Sequence, residues 1–235
     1  MLIVKRNVGL ILVLCSIASL ICFGIVGIGR AGGEGFGFGF DFAVLYAAGR
    51  TWLEGANPYN HNELSRSVAG VEGIGILEGF GFFYPPQSAA FFITTALFSF
   101  PVAKIVWLGF NLLSIAAIVA MTVSSINQHQ QTKRDKFGSW LMAAVAIGNP
   151  FTTHIVWMGQ TSLVAFAATM AAWFFSNKNK SVVAGICLGL ASFKPQMCAL
   201  LGIWFLLDKK WKLIGVSLGT ACVLSLYPIF SQGFM

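Results

Sequence analysis

Charge is scarce in this chain. Lysine, arginine, aspartate and glutamate make up 10% of its 235 residues, while 57% are hydrophobic; a soluble domain carries roughly 25% charged residues. A soluble globular domain of this size is therefore excluded. Acids are the rarer sign, 8 against 15 bases, leaving a formal net charge of +7. The bases stand in short clusters between apolar runs, so membrane topology accounts for them and nucleic-acid binding is not expected. Histidine occurs only 3 times. Cys15, Cys22, Cys187, Cys198 and Cys222 all fall inside apolar runs without metal-ligand spacing, which excludes a disulfide framework and a zinc site and makes them small buried hydrophobes. No metal or other cofactor is expected, and no internal repeat of fixed period is visible.

What the chain has in abundance is long apolar runs, over residues 8–29, 86–100, 104–126, 138–150, 159–176, 181–193, 196–208 and 211–230. The first follows Lys5 and Arg6 and exceeds the ~7–15 residues of a signal-peptide core, which makes it an uncleaved helix with a cytoplasmic N-terminus. If all eight runs crossed, the loop QHQQTKRDK (128–136), the turn NKNK (177–180) and DKKWK (208–212) would lie outside with their lysines, against the positive-inside rule. Removing 86–100 from the crossings places Lys5, Arg6, Lys133, Arg134, Lys136, Lys178, Lys180, Lys209, Lys210 and Lys212 in the cytoplasm. Arg30, Arg50, Arg66, Lys104 and Lys194 then remain outside. Run 86–100 is also bracketed by Pro85, Pro86 and Pro101 and is shorter than the ~20 residues a spanning helix needs. The expectation is an all-α polytopic membrane protein with about seven crossings. It divides into a first transmembrane helix (1–29), an external loop with juxtamembrane helices (30–103) and a transmembrane bundle (104–235).

Within the external loop, Asp41 precedes the apolar stretch 42–53, which ends at Gly55 and the turn Asn57-Pro58. This predicts a short helix with Asp41 at or near its N-cap; the same acid can serve as cap, surface charge or reacting group. From there to Tyr84 the glycine-rich chain, with Glu63, Glu72 and Glu78, is expected to be loop. Runs 181–193 and 196–208 are each about 13 residues, roughly 20 Å as helix, and meet at Lys194-Pro195. An ammonium there would lie below the outer membrane surface, at a cost of about 2.5–3.5 kcal/mol unless a counter-charge or water-filled cavity receives it. Snorkelling to the interface is the alternative. A second break at Asn149-Pro150 is followed by TTHIVWMGQ (152–160), so His154 and Gln160 could line the same outward-facing cavity.

The segments DFAVLYAAGRTWLEGANPY, FYPPQSAAFFITTALFSFP, GQTSLVAFAATMAAW and AGICLGLASFKPQ with LLDKKW occur in the order seen in glycosyltransferase family 87, which the chain resembles from about Asp41 onward. That resemblance implies a GT-C-like fold and a polyprenyl-phosphate-mannose-dependent mannosyltransferase of the cytoplasmic (plasma) membrane, active on the outer face. Its donor would be a polyprenyl-phosphate sugar arriving from the lipid bilayer, and its acceptor a glycan or glycolipid. Asp41 matches the family's loop carboxylate, Tyr84-Pro85-Pro86 its juxtamembrane segment, Gly159-Gln160 its helix-start pair and Lys194-Pro195 its lysine-proline break. Such proteins continue through further helices, so the resemblance also implies truncation at the C-terminus.

On this reading Asp41 is the catalytic general base and Lys194 stabilises the donor phosphate by charge, so that the step requires no metal. His154 and Gln160 would bond sugar hydroxyls and Tyr59 would stack on the sugar ring. A single displacement inverts the anomeric centre; retention would need a second carboxylate, for which Glu54 and Glu78 are the candidates. A carrier of lipid or solute, or an inactive fragment retained as a partner subunit, are the competing readings.

Overall fold

The computed structural model describes residues 11, 14–28, 39–74, 81–129, 138, 141 and 148–232. Among them the regular structure is helical throughout, in keeping with the expected all-α class. The leading apolar helix α1 (Leu14–Val26) passes into a π-helical turn, Phe23–Ile28. It packs beside Leu141, whose carbonyl accepts a hydrogen bond from the Ser16 hydroxyl at 3.3 Å.

In the region read as an external loop with juxtamembrane helices, the described residues pack around an aromatic core. Helices α2 (Phe40–Leu53), α3 (His61–Arg66) and α4 (Ala89–Ala96, after a 3-10 turn at Pro86–Ser88) gather against the start of α5 (Phe100–His129). Phe42, Tyr46, Trp52, Phe82, Phe92, Phe100 and Trp107 are all essentially buried there. Phe42 stacks on Trp107 with ring centroids 5.4 Å apart, and Trp52 meets Phe82 edge-on at 5.2 Å. Each such side chain contributes about 1.5–3 kcal/mol on burial, ample to order short helices that would not form alone. Helix α3 corrects the glycine-rich loop expectation for that segment. Asn60 caps it by accepting from the Asn62 N–H at 3.0 Å, while Glu63 accepts from the Asn60 amide at 3.2 Å and the Asn57 N–H at 2.6 Å. Asn60 thus serves as a side-chain N-cap, and Glu63 braces the same helix start by holding the cap's side-chain amide and the preceding turn. Helix α4 has 8 residues, about 12 Å of helix against a ~30 Å hydrocarbon core, too short to cross.

Beyond α5 come α6 (Pro150–Met158), α7 (Ser162–Asn177), α8 (Ser181–Ala191), α9 (Pro195–Leu207) and α10 (Trp211–Gln232). Segment 152–160, which follows the expected break at Asn149-Pro150, is mostly helix. Asn149 caps α6 by accepting from the Phe151 and Thr152 N–H groups, Pro150 takes the first turn, and the break falls at Gly159, beyond which the chain bends by 117° into α7. Two described helices are long and apolar enough to cross a membrane, Phe100–Ser125 and Trp211–Phe230; the bent pair α6–α7 would make a third. Only 17% and 11% of the two apolar windows are buried, which leaves wide apolar surfaces of the kind a membrane covers.

Helix α8 lies between α7 and α10. Its contact with α10 is made by Gly185 and Gly189, a G-x-x-x-G spacing that lets two helices approach closely in a membrane. A methyl group on Gly189 would stand 2.6 Å from Thr220 Cβ and 2.7 Å from the Ser217 carbonyl oxygen, whereas one on Gly215 of α10 would meet nothing within 4 Å. Gly189→Ala is therefore expected to destabilise the purified protein in detergent by about 1–3 kcal/mol through overpacking. Gly215→Ala, which only stiffens an open helix face, should stabilise it by about 0.4–1 kcal/mol. Thermal unfolding of both variants checks the opposite signs.

Candidate functional site

Two glycines set the geometry. Gly39 caps α2 in the left-handed conformation at φ 89°, and Gly159 ends α6 in the same conformation at φ 69°, a region that costs residues with a Cβ. They meet back to back. The Gly39 N–H donates to the Trp157 carbonyl at 2.9 Å, and a Cβ on Gly159 would stand 2.8 Å from that of Phe42 and 3.1 Å from Gly39 Cα. The Trp107 indole N–H fixes the break from below by donating to the Gly159 carbonyl at 2.7 Å. Asp41, in the first turn of α2, is thereby held beside the bend between α6 and α7, half-buried. Gly39 is the cap residue and Asp41 the second residue of the helix, a position near the N-cap as the sequence suggested.

Just past the bend, Thr161 and Ser162 each hold one functional group. The Tyr84 hydroxyl shares a hydrogen bond with Thr161 Oγ1 at 2.9 Å, and Lys194 Nζ donates to Ser162 Oγ at 2.7 Å. Lys194 lies in the turn between α8 and α9, with Pro195 opening the second helix, as the lysine-proline break implied. That turn is tied to the 3-10 turn before α4, where the Gln87 amide donates to the Ser192 carbonyl at 3.1 Å and to its hydroxyl at 3.3 Å. Tyr59 supports the same corner by donating its hydroxyl to the Tyr84 carbonyl at 2.8 Å.

Electrostatics joins the pieces. Desolvation lowers the Lys194 pKa, and the negative charge of Asp41 opposes that shift. Burial raises the Tyr84 pKa; the hydrogen bond to Thr161 works against the shift and Asp41 adds to it. Burial pushes Tyr59 up to about 12, so both phenols remain protonated donors at neutral pH. Asp41, Tyr84 and Lys194 thus share one electrostatic neighbourhood, in which a carboxylate can take a proton from a hydroxyl while an ammonium holds an anion.

The other sequence candidates stand differently. His154 is exposed on α6, its ring 5.7 Å from that of Trp157, and it takes no part in the hydrogen bonds of the cluster. Gln160 is half-buried at the bend, where its backbone N–H closes the end of α6 on the Ile155 carbonyl at 3.0 Å. The ring of Tyr59 packs against Trp52 and Phe82. Glu54 pairs with Arg50 at 3.6 Å at the far end of α2, about 20 Å of helix from Asp41, too far to share its reaction. Glu78 lies outside the described residues. Among the described residues no group of three or more His, Cys, Asp or Glu gathers that could hold a metal ion. Gln87, Thr161, Ser162 and Ser192 were not foreseen; the polar pair after Gly159-Gln160 was the one local sign of them.

Residues 82–234 match the model of glycosyltransferase family 87. No curated protein and no solved structure matches the chain. Tyr84, His154, Gln160 and Lys194 fall within the matched residues, while Asp41 and Tyr59 precede them.

The Lys194 turn predicts a titration with a definite sign. The ammonium loses its proton below the 10.5 of an ordinary lysine, and Asp41→Asn, which removes the opposing charge, should move that loss to still lower pH. Amine-acylation rates at Lys194, followed by peptide mass spectrometry across pH, give the midpoint. An unchanged midpoint in the variant would show that carboxylate and ammonium do not interact.

Proposed function

The chain belongs to glycosyltransferase family 87 and is thus a membrane glycosyltransferase, and from that premise we propose that it moves a hexose, mannose by family likeness, from a polyprenyl-phosphate donor to an acceptor hydroxyl on the outer face. The observation that carries this reading is the junction of Asp41, Tyr84 and Lys194 around the bend between α6 and α7. Asp41 accepts the acceptor hydroxyl's proton as its oxygen attacks the anomeric carbon. The new carbon–oxygen bond forms as the bond to phosphate breaks, and the configuration inverts. The leaving polyprenyl phosphate turns from a phosphodiester into a monoester and gains one negative charge. A half-buried ammonium held by Ser162 is suited to receive that charge, because it opposes charge that grows in the transition state. Tyr84 orients a donor oxygen through its hydroxyl.

The parity of the lysine clusters supports seven crossings with an inward N-terminus, in which the short helices α8 and α9 cross as a pair and the turn carrying Lys194 lies at the outer side. In that arrangement the cluster faces outward and the acceptor is a glycan or glycolipid of the cell envelope.

Full-length protein supplied with radiolabelled polyprenyl-phosphate mannose and an oligomannoside acceptor should release labelled product. Asp41→Asn should lower that rate by about 10²–10⁴-fold. Lys194→Gln should lower kcat more than it raises KM, since it acts on charge that develops during the step. Transmembrane movement of the donor without transfer would instead identify a carrier.

A further inference from the structure

At the opposite end of the same helices lies a second polar centre that the proposed reaction does not use. Helix α7 runs from Ser162 to Asn177, α9 from Pro195 to Leu207, and α10 starts at Trp211, so the turns at 178–180 and 208–210 are about 20 Å of helix from the Lys194 turn. Between them opens a pocket of about 350 Å³ lined by Ser176, Asn179, Ser181, Lys209, Lys210 and Lys212. We propose that this pocket binds the phosphate of an anionic phospholipid from the leaflet opposite to the transfer site.

Four observations support the assignment. Three lysines line the pocket against one acid, Asp208, whose carboxylate stands 3.6 Å from Lys210 Nζ, so the centre keeps a positive excess. Lys210 is oriented, its ammonium donating to Ser176 Oγ at 2.8 Å and lying 5.2 Å from the centre of the Phe205 ring. Neighbouring Lys178 is instead turned over the Phe174 ring at 4.0 Å and does not line the pocket, which separates a built site from a general surplus of bases. Lys209 adopts a left-handed backbone at φ 56°, a conformation that glycine occupies at less cost, and it is among the residues that line the pocket. Helices α8 and α10 also begin at this centre, and the N-cap of α8 makes no side-chain hydrogen bond, so first-turn N–H groups add to the attraction for an anion.

Depth and rim select a lipid over a free anion. The apolar window of α10 opens at Trp211, which puts the pocket at the level where a span leaves the hydrocarbon, the level of phosphate headgroups. Leu207 and Trp211 beside it are 75% and 64% exposed, apolar surface that acyl chains would cover and a soluble phosphate would not.

The test is native mass spectrometry of the full chain in neutral detergent, titrated with phosphatidylglycerol or phosphatidylcholine. Phosphatidylglycerol should be retained preferentially, and Lys209→Gln and Lys210→Gln should each weaken that retention by about fivefold. Lys210→Arg should keep it, and Lys178→Gln should leave it unchanged. Should Lys210→Gln fail to fold, the exposed Lys209 carries the comparison. Equal retention of the two lipids, or an equal loss from Lys178→Gln, would overturn the proposal in favour of diffuse charge. Displacement of the lipid by inorganic phosphate would overturn it in favour of a free-anion site. None of these readings depends on sugar transfer.

Discussion

The approach of Gly39 to Gly159 is the contact on which the rest of this molecule is arranged. Two left-handed residues, one opening a helix and one closing another, let the backbones meet, at a distance that a Cβ on Gly159 would prevent. The Trp107 indole, stacked beneath Phe42 and bonded to the Gly159 carbonyl, holds the contact to the first long span. Without that approach, the carboxylate on α2 and the hydroxyls at the start of α7 would belong to separate parts of the fold. With it, an acid in the first turn of one helix comes within electrostatic reach of a tyrosine and a lysine contributed by two other segments, 43 and 153 positions further along the sequence.

The contact also bears on family membership. The matched residues begin at 82, so the acid proposed as base lies in a part of the chain that the match does not cover. Its association with the matched part is physical: the Gly39 N–H bonded to Trp157, the aromatic core shared by α2, α4 and α5, and the Tyr59–Tyr84 bond. Packing of this kind makes the segment from Gly39 to Ile74 part of the same folding unit as the helices that follow.

Much of this was legible in the sequence. Low charge and long apolar runs gave the helical membrane class, and Pro195 marked a helix start because a residue lacking an N–H is tolerated in a first turn; Pro150, read as a break, opens a helix for the same reason. The short run after Pro86 was readable as too short to cross. Other features were hidden for definable reasons. Helix α3 is only 6 residues long, with no apolar period to announce it; its cap residue Asn60, with Glu63 three positions on, was a faint mark in glycine-rich surroundings. Asp41 was readable as lying at or near the cap because acids favour a first turn, but that glycine at 39 takes the cap itself follows from a left-handed backbone there, which no local pattern announced. Tyr84–Thr161, Gln87–Ser192 and Ser162–Lys194 are separated by 77, 105 and 32 residues, and no local pattern encodes pairings of that range.

Helix α10 carries one more consequence. It starts beside the lysines at one face and, about 24 Å further on, the Tyr227 hydroxyl donates to the Trp52 carbonyl at 3.2 Å in the aromatic layer at the other. A rod pinned at both ends cannot tilt freely to suit its surroundings, so the thickness of the bilayer becomes a mechanical input to the protein. Pro228, which follows the upper pin directly and lacks the N–H that would bond the preceding turn, is the place where a mismatch would be taken up as bending.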